Sequence, residues 1–113
     1  MSQTDDHASL LDLLKAARLV TVFVEGMDEA GFSQDAKAVS AVHYQLMIVG
    51  EAVKRLSEPF RGAHPGIPWK KISGMRDVLI HDYGDVDLGE VWRTATVAIP
   101  LLISQVEPLA RGR

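Results

Sequence analysis

The chain has 113 residues, of which 47% are hydrophobic and 24% are charged, and its net charge at pH 7 is −3. This length suits a single domain over 1–113, and this composition excludes a disordered chain. Cysteine is absent, which excludes disulfides and thiolate metal sites. The first residues lack a signal-peptide pattern, and no apolar run approaches the roughly 20 residues that span a bilayer. We therefore expect a cytoplasmic protein that does not associate with a membrane.

The first predicted helix covers about residues 5–27. Thr4 is a candidate N-cap, with Asp5 and Asp6 in the first turn at the positive end of the helix dipole. Apolar residues recur at spacings of three and four, which places them on one face: Leu10, Leu14, Ala17, Val20, Val24 and Met27. This long period outweighs the strand-like composition of residues 20–24.

A turn is expected over residues 28–32, after which Ser33 or Asp35 can cap a second helix. This helix has the most regular apolar seam of the chain: Val39, Val42, Leu46, Val49, Val53 and Leu56. Gly50 allows another helix to approach closely beside the carboxylate of Glu51. The other polar residues of this helix are expected at its rim or surface: His43, Tyr44 and Gln45.

Proline and glycine predict a loop, with at most one turn, between residues 58 and 68. His64 in this loop has no partners at ligand spacing, so no metal site is expected. Pro68 is expected at the first position of a third helix that ends near Gly84. Its predicted buried face contains Trp69, Ile72, Met75 and Leu79.

A fourth helix should run from an N-cap at Asp87 to about residue 107–110, with Pro100 bending it. Its predicted buried stripe consists of Leu88, Val91, Ala95, Ala98, Leu102, Val106 and Leu109. Four principal helices with short connections predict an all-α, antiparallel up-and-down bundle.

Positive charge is concentrated in one part of the chain. Six of the twelve Lys and Arg residues lie between positions 54 and 76, where Glu58 is the only acid. We expect this segment to bind RNA phosphates, with Lys54, Arg55, Lys70 and Lys71 as the contacts. Five acids follow without a Lys or Arg between them, so a polyanion would approach from one side: Asp77, Asp82, Asp85, Asp87 and Glu90. Two solvated helix faces of opposite charge are the alternative.

Three groups capable of chemistry lie within eight residues of the third helix: Arg76, His81 and Tyr83. RNA can be cleaved by its own 2′-hydroxyl when a base and an acid move protons and a cation stabilises the phosphate. Arg76 suits the phosphate and His81 the proton transfers. Residues five apart on a helix point about 140° from each other, so a second copy of the chain or a loosened helix would have to complete the site. A bond between Asp77 and His81 without catalysis is the alternative.

The chain resembles the HepT-like branch of the HEPN domains. The resemblance covers nearly the whole chain and rests on GEAVKRLS at 50–57, HPGIPWKKISGMRD at 64–77, HDY at 81–83, VDL at 86–88 and VW at 91–92. Its diagnostic element is an arginine, four residues, a histidine, one residue and a tyrosine, present here as Arg76, His81 and Tyr83.

This resemblance implies an all-α homodimer with a metal-independent endoribonuclease site and no cofactor. Arg76 and His81 would be catalytic, with Glu51 and Asp77 supporting them, although many relatives carry asparagine at the position of Asp77. The protein would be the toxin of a toxin–antitoxin pair, and a minimal nucleotidyltransferase antitoxin would transfer AMP to Tyr83. Two alternatives stay open: a non-catalytic module that binds a nucleotide or RNA, and a helical interaction partner of the nucleotidyltransferase.

Overall fold

The computed structural model describes residues 3–81 and 86–112, with side chains over 5–80 and 86–112. The helices are α1 (Gln3–Val24), α2 (Glu29–Gln34), α3 (Ala36–Arg55), α4 (Glu58–Ala63), α5 (Trp69–His81), α6 (Leu88–Arg93) and α7 (Ile99–Arg111), with a π-helical segment at Thr94–Ala98. This part of the chain contains no strand, so the predicted all-α class is confirmed. None of the helices just listed is both long enough and apolar enough to cross a membrane.

Helix α1 occupies the predicted region, but both of its ends differ from the prediction. It begins at Gln3, so Thr4 lies inside the helix and the N-cap assignment is wrong. It ends at Val24 because Gly26 adopts a φ of 77°, a left-handed conformation that glycine tolerates. Asp6 is buried rather than solvated, and it accepts hydrogen bonds from the backbone N–H and the hydroxyl of Ser57 at 2.8 and 2.7 Å.

Two short helices replace segments that were predicted as a turn and a loop. The Asp28 side chain accepts from the N–H of Gly31 and caps α2, whereas Ser57 caps α4 by accepting from Phe60. Pro59 does not break α4 because it lies in the first turn, where a helix needs no donated N–H. With these helices added, the division into four principal helices stays a prediction.

Helix α3 is central to the packing: α1 lies against it and also contacts α7, and α5 packs on α3. Asp35 caps α3 by accepting from Ala38 at 3.0 Å, which is one of the two predicted caps. The predicted seam is buried from Val42 to Leu56, with Val39 partly exposed. The predicted face of α5 also packs inward: Trp69 and Leu79 are buried, and Ile72 and Met75 lie against the core. Pro68 precedes α5, where its carbonyl accepts from Ile72, rather than taking the first helical position.

The C-terminal helical run contains one feature that the sequence pattern did not predict. Asp87 caps α6 as expected. In the π-helical segment, the N–H of Ile99 donates to Thr94, five residues earlier, which inserts one residue relative to the α-helical register. The predicted burial of Ala98 is therefore wrong: Ala98 is exposed and Ile99 takes its place in the core. The segment ends just before Pro100, whose ring would clash with the carbonyl four residues back in a regular α-helix.

Candidate active site on the paired helices α3 and α5

The candidate site lies at a close contact between α3 and α5, and Gly50 makes that contact possible. A Cβ atom added at Gly50 would lie 2.3 Å from the Cβ of Arg76 and 3.2 Å from the carbonyl oxygen of Ile72. Any side chain at position 50 would therefore push α5 away from α3. The predicted role of Gly50 in helix approach is confirmed, and the contact brings Arg76 beside the next residue of α3, Glu51.

Arg76 is held by carboxylates on two sides. Its Nε lies 3.0 Å from Oε2 of Glu51, and its Nη1 donates to Oδ1 of Asp77 at 3.1 Å. The same Asp77 oxygen accepts from Nζ of Lys54 at 2.7 Å. The side chain of Arg76 is 28% exposed and that of Lys54 is 38% exposed, so a solvent-borne anion can reach both cations. Phosphate oxygens suit the planar fork of a guanidinium.

The two cations also fix the charge of Asp77. Hydrogen bonds from Lys54 and then from Arg76 lower the pKa of the Asp77 carboxyl below its usual value. Asp77 is therefore an anion at every pH near neutrality. Any phosphate that approaches Arg76 and Lys54 has to compete with this carboxylate.

His81 is the last described residue of α5, five positions after Arg76 on the same helix. Its side chain lies outside the described residues, and so do Tyr83 and the predicted helix end at Gly84. The structure therefore locates the backbone of His81 on α5, and the role of Tyr83 stays a prediction.

The four predicted RNA-binding residues lie in three different settings. Lys54 belongs to the cluster around Arg76, whereas Arg55 pairs with Asp12 of α1 at 3.2 Å. Lys70 and Lys71 are exposed at the start of α5, where they and Arg61 line an open groove with Ile67 and Trp69. Trp69 anchors this end of the helix, since it is buried and donates from Nε1 to the carbonyl of His64 at 3.0 Å.

His43 is the residue near the site whose setting the sequence interpretation missed. It is 7% exposed, not at the rim of α3, and its Nε2 lies 3.1 Å from the carbonyl oxygen of Leu79 in α5. Tyr44, by contrast, is exposed as expected. The signal was the spacing: His43 precedes Gly50 by seven residues, or two helical turns, so both lie on the stripe of α3 that meets α5.

Among the described side chains, no group of three or more His, Asp or Glu residues is arranged to hold a metal ion. The described cluster around Arg76 is a cationic anion-binding site bounded by two carboxylates, on the same helix as His81.

One family model and several known proteins are similar to this chain in sequence. The family model described as Ribonuclease HepT-like matches residues 13–109. A candidate RNase of Methanocaldococcus jannaschii is 36% identical over 111 residues, which cover 98% of this chain and 96% of the relative. A candidate RNase of Caldanaerobacter subterraneus is 38% identical over 97 residues, covering 86% and 87%.

A Thermococcus cleftensis protein named as a candidate HepT ribonuclease is 37% identical over 102 residues, covering 90% of this chain and 93% of the relative. No solved structure gives a significant match. The family match spans most of the chain, including Glu51, Arg76 and His81, and these relatives align over nearly their whole length. The chain therefore belongs to the HepT-like ribonuclease family of HEPN domains.

Proposed function

We propose that the chain is a metal-independent endoribonuclease and the toxin of a toxin–antitoxin pair. Arg76 would stabilise the scissile phosphate, and His81 would transfer protons. The observation that carries this proposal is the setting of Arg76, which is partly exposed, held by Glu51 beside the tight contact of α3 and α5 at Gly50, and five residues before His81. The relatives named as ribonucleases support the same class of reaction.

In the proposed reaction, the 2′-oxygen of RNA attacks the adjacent phosphorus and the bond to the 5′-oxygen breaks. A base removes the 2′-hydroxyl proton, and an acid donates a proton to the leaving 5′-oxygen. The products are a 2′,3′-cyclic phosphate and a 5′-hydroxyl. Arg76 would bind the non-bridging phosphate oxygens as negative charge develops on them. Glu51 supports this role because it fixes the guanidinium through Nε.

We propose that a homodimer completes the site. Arg76 and His81 diverge by about 140° on a regular helix, so one chain does not readily direct both at one phosphate. Val78 and Ile80 lie between Arg76 and His81 on α5, and they are 52% and 38% exposed. A second copy that covered these apolar side chains would also bring a second Arg76 and His81 to the same cleft.

Single substitutions test the assignment of catalytic residues. Arg76→Ala and His81→Ala should each lower the rate of RNA cleavage by about 100-fold or more. Arg76→Lys should recover only part of the loss, because an ammonium cannot reproduce the bidentate fork. Arg93→Ala is the matched control, since Arg93 is exposed and pairs with Glu90 within its own helix. Full activity in His81→Ala, with circular dichroism unchanged, would reject the proposal.

We propose that a nucleotidyltransferase antitoxin silences the site by transferring AMP from ATP to the Tyr83 hydroxyl, with pyrophosphate as the leaving group. The added phosphate would compete for the Arg76 guanidinium, and the adenosine would block RNA entry. After co-expression with the nucleotidyltransferase, mass spectrometry should find AMP on Tyr83, and Tyr83→Phe should escape both modification and silencing. Equal silencing of the Phe variant, with AMP attached elsewhere, would refute this mode of control.

A second candidate function is a non-catalytic module that binds RNA or a nucleotide. It is favoured by the two carboxylates that already contact Arg76. These carboxylates reduce the positive charge that can stabilise the scissile phosphate in the transition state. Two assays separate the functions. A binding module would shift the mobility of RNA in a native gel, and the same RNA would stay at full length in the cleavage assay.

A further inference from the structure

His43 is a buried polar side chain that the proposed reaction does not use. It lies on α3, and it reaches across the helix pair to the backbone of α5, where its Nε2 is 3.1 Å from the carbonyl oxygen of Leu79. A carbonyl oxygen can only accept a hydrogen bond, so Nε2 carries the proton and donates it. The side chain of Leu79 is itself buried, so this bond lies in the interior and is shielded from water.

The accepting carbonyl belongs to the turn of α5 that carries His81, because Leu79 is two residues before His81 on this helix. A donor from a neighbouring helix at this place ties that turn to α3. A close contact between the two helices also lies farther back, at Gly50 and Arg76. His43 is thus a second tie between α3 and α5, on the side of Arg76 toward His81.

We propose that His43 is a positioning residue: by donating from Nε2 to the Leu79 carbonyl, it holds the turn of α5 that carries His81 in the place from which His81 acts. The catalytic part of this inference rests on the proposed function. Holding a reacting group in position lowers the barrier of the chemical step without adding a contact to the substrate. The loss of His43 should therefore lower kcat and leave KM nearly unchanged.

Three substitutions at position 43 separate the hydrogen bond from the volume of the side chain. His43→Leu fills the space and removes the donor. His43→Gln places an amide N–H near the position of Nε2. His43→Asn introduces the same amide on a side chain that is one methylene shorter, so its N–H does not reach the carbonyl of Leu79. Tyr44→Leu is the matched control, because Tyr44 is the next residue of α3 and is 58% exposed.

The first measurement is hydrogen exchange of the full-length chain, which needs no RNA. In His43→Leu and His43→Asn, the amides of residues 78–81 in α5 should exchange about tenfold faster, with α1 and α7 unchanged. His43→Gln and Tyr44→Leu should match the wild type. Uniformly faster exchange along the whole chain in all three position-43 variants would overturn the inference, since it would show a general packing role.

The second measurement is steady-state RNA cleavage. His43→Leu and His43→Asn should lose about tenfold in kcat with KM within about twofold, and His43→Gln should recover most of the loss. If His43→Leu does not fold, the comparison of His43→Gln with His43→Asn decides the question. Equal kcat values for these two variants would contradict the inference. If the wild-type chain does not cleave RNA, the proposed function fails, and the exchange rates alone decide whether His43 holds this turn.

Discussion

Asp77 sets the charge that a phosphate meets at the candidate site. Its carboxylate accepts from Lys54 and from Arg76 through the same oxygen, so it neutralises part of both cations. It also holds the Arg76 side chain through a bond to Nη1, whereas Glu51 contacts Nε. Asp77 therefore has two effects: it positions the Lys54 and Arg76 side chains, and it weakens their attraction for RNA. A substitution that removes only its charge separates the two effects.

Asp77→Asn should lower KM for RNA by several-fold, because the amide keeps a carbonyl acceptor but no longer neutralises Lys54 and Arg76. Glu107→Gln is the control: Glu107 of α7 forms a similar exposed pair with Arg18 of α1, outside α3 and α5. Steady-state cleavage at low salt is the measurement. A higher KM in Asp77→Asn would show that the carboxylate orders the cations more than it competes with RNA.

The pH dependence of the Asp77→Asn effect follows from the sign of the pKa shift. Lys54 and Arg76 lower the pKa of Asp77 in the folded chain. The contribution of the Asp77 carboxylate to stability is therefore complete at pH values above its pKa in the unfolded chain. It is lost only as the pH falls through the lower pKa of the folded chain. Between about pH 5 and 8 the ratio of KM values for the variant and the wild type should be constant. A ratio that changes across this range would indicate that another group titrates with Asp77.

At the scale of elements, the contact between α3 and α5 depends on the missing side chain of Gly50. Gly50→Ala should destabilise the fold by about 1–3 kcal/mol, because the new Cβ would lie 2.3 Å from the Cβ of Arg76, closer than two carbon atoms that are not bonded can approach. A lower melting temperature and a loss of cleavage should appear together, because Arg76 moves with α5.

The control for Gly50→Ala is Gly74→Ala, within α5. A Cβ at Gly74 meets nothing within 4 Å, so this variant should be neutral or stabilised by up to about 1 kcal/mol through higher helix propensity. Thermal unfolding of both variants measures the difference. Equal melting temperatures would contradict the role of Gly50 in helix approach.

The sequence pattern predicts elements well where burial alone determines them. The seam from Val42 to Leu56 and the anchor Trp69 are confirmed because regular spacing on a helix leads directly to a buried face. Ala98 was placed wrongly because the inserted residue of the π-helical segment shifts the register, and apolar spacing alone does not reveal such an insertion.

Local capping and long-range contacts account for the other differences. Helices α2 and α4 are only six residues long, too short for a periodic signal, and they depend on Asp28 and Ser57 as caps. The polar residue His43 is buried because α5 supplies a carbonyl from 36 positions away, a partner that no local pattern contains. The clustering of Glu51, Arg76 and Asp77 likewise requires the packing of α5 on α3.

At the scale of the whole molecule, the proposed dimer predicts complementation between two inactive variants. If Arg76 of one chain acts with His81 of the other, a mixed dimer of Arg76→Ala and His81→Ala chains contains one intact site. Co-expression of the two variants should then restore about a quarter of wild-type activity. Each variant alone should stay inactive, and sedimentation should show a dimer in every sample. An inactive mixture of confirmed mixed dimers would mean that each chain holds a complete site.

Metal-independent attack by the 2′-hydroxyl is tested by cleavage of a short RNA by the purified wild-type chain in excess EDTA, with analysis of the new ends. We expect cleavage in the chelator, a 2′,3′-cyclic phosphate on the upstream product, and no cleavage when the nucleotide before the scissile bond is 2′-deoxy. Cleavage that disappears in EDTA and returns with Mg²⁺ or Zn²⁺, or that persists on the 2′-deoxy substrate, would reject the proposed mechanism.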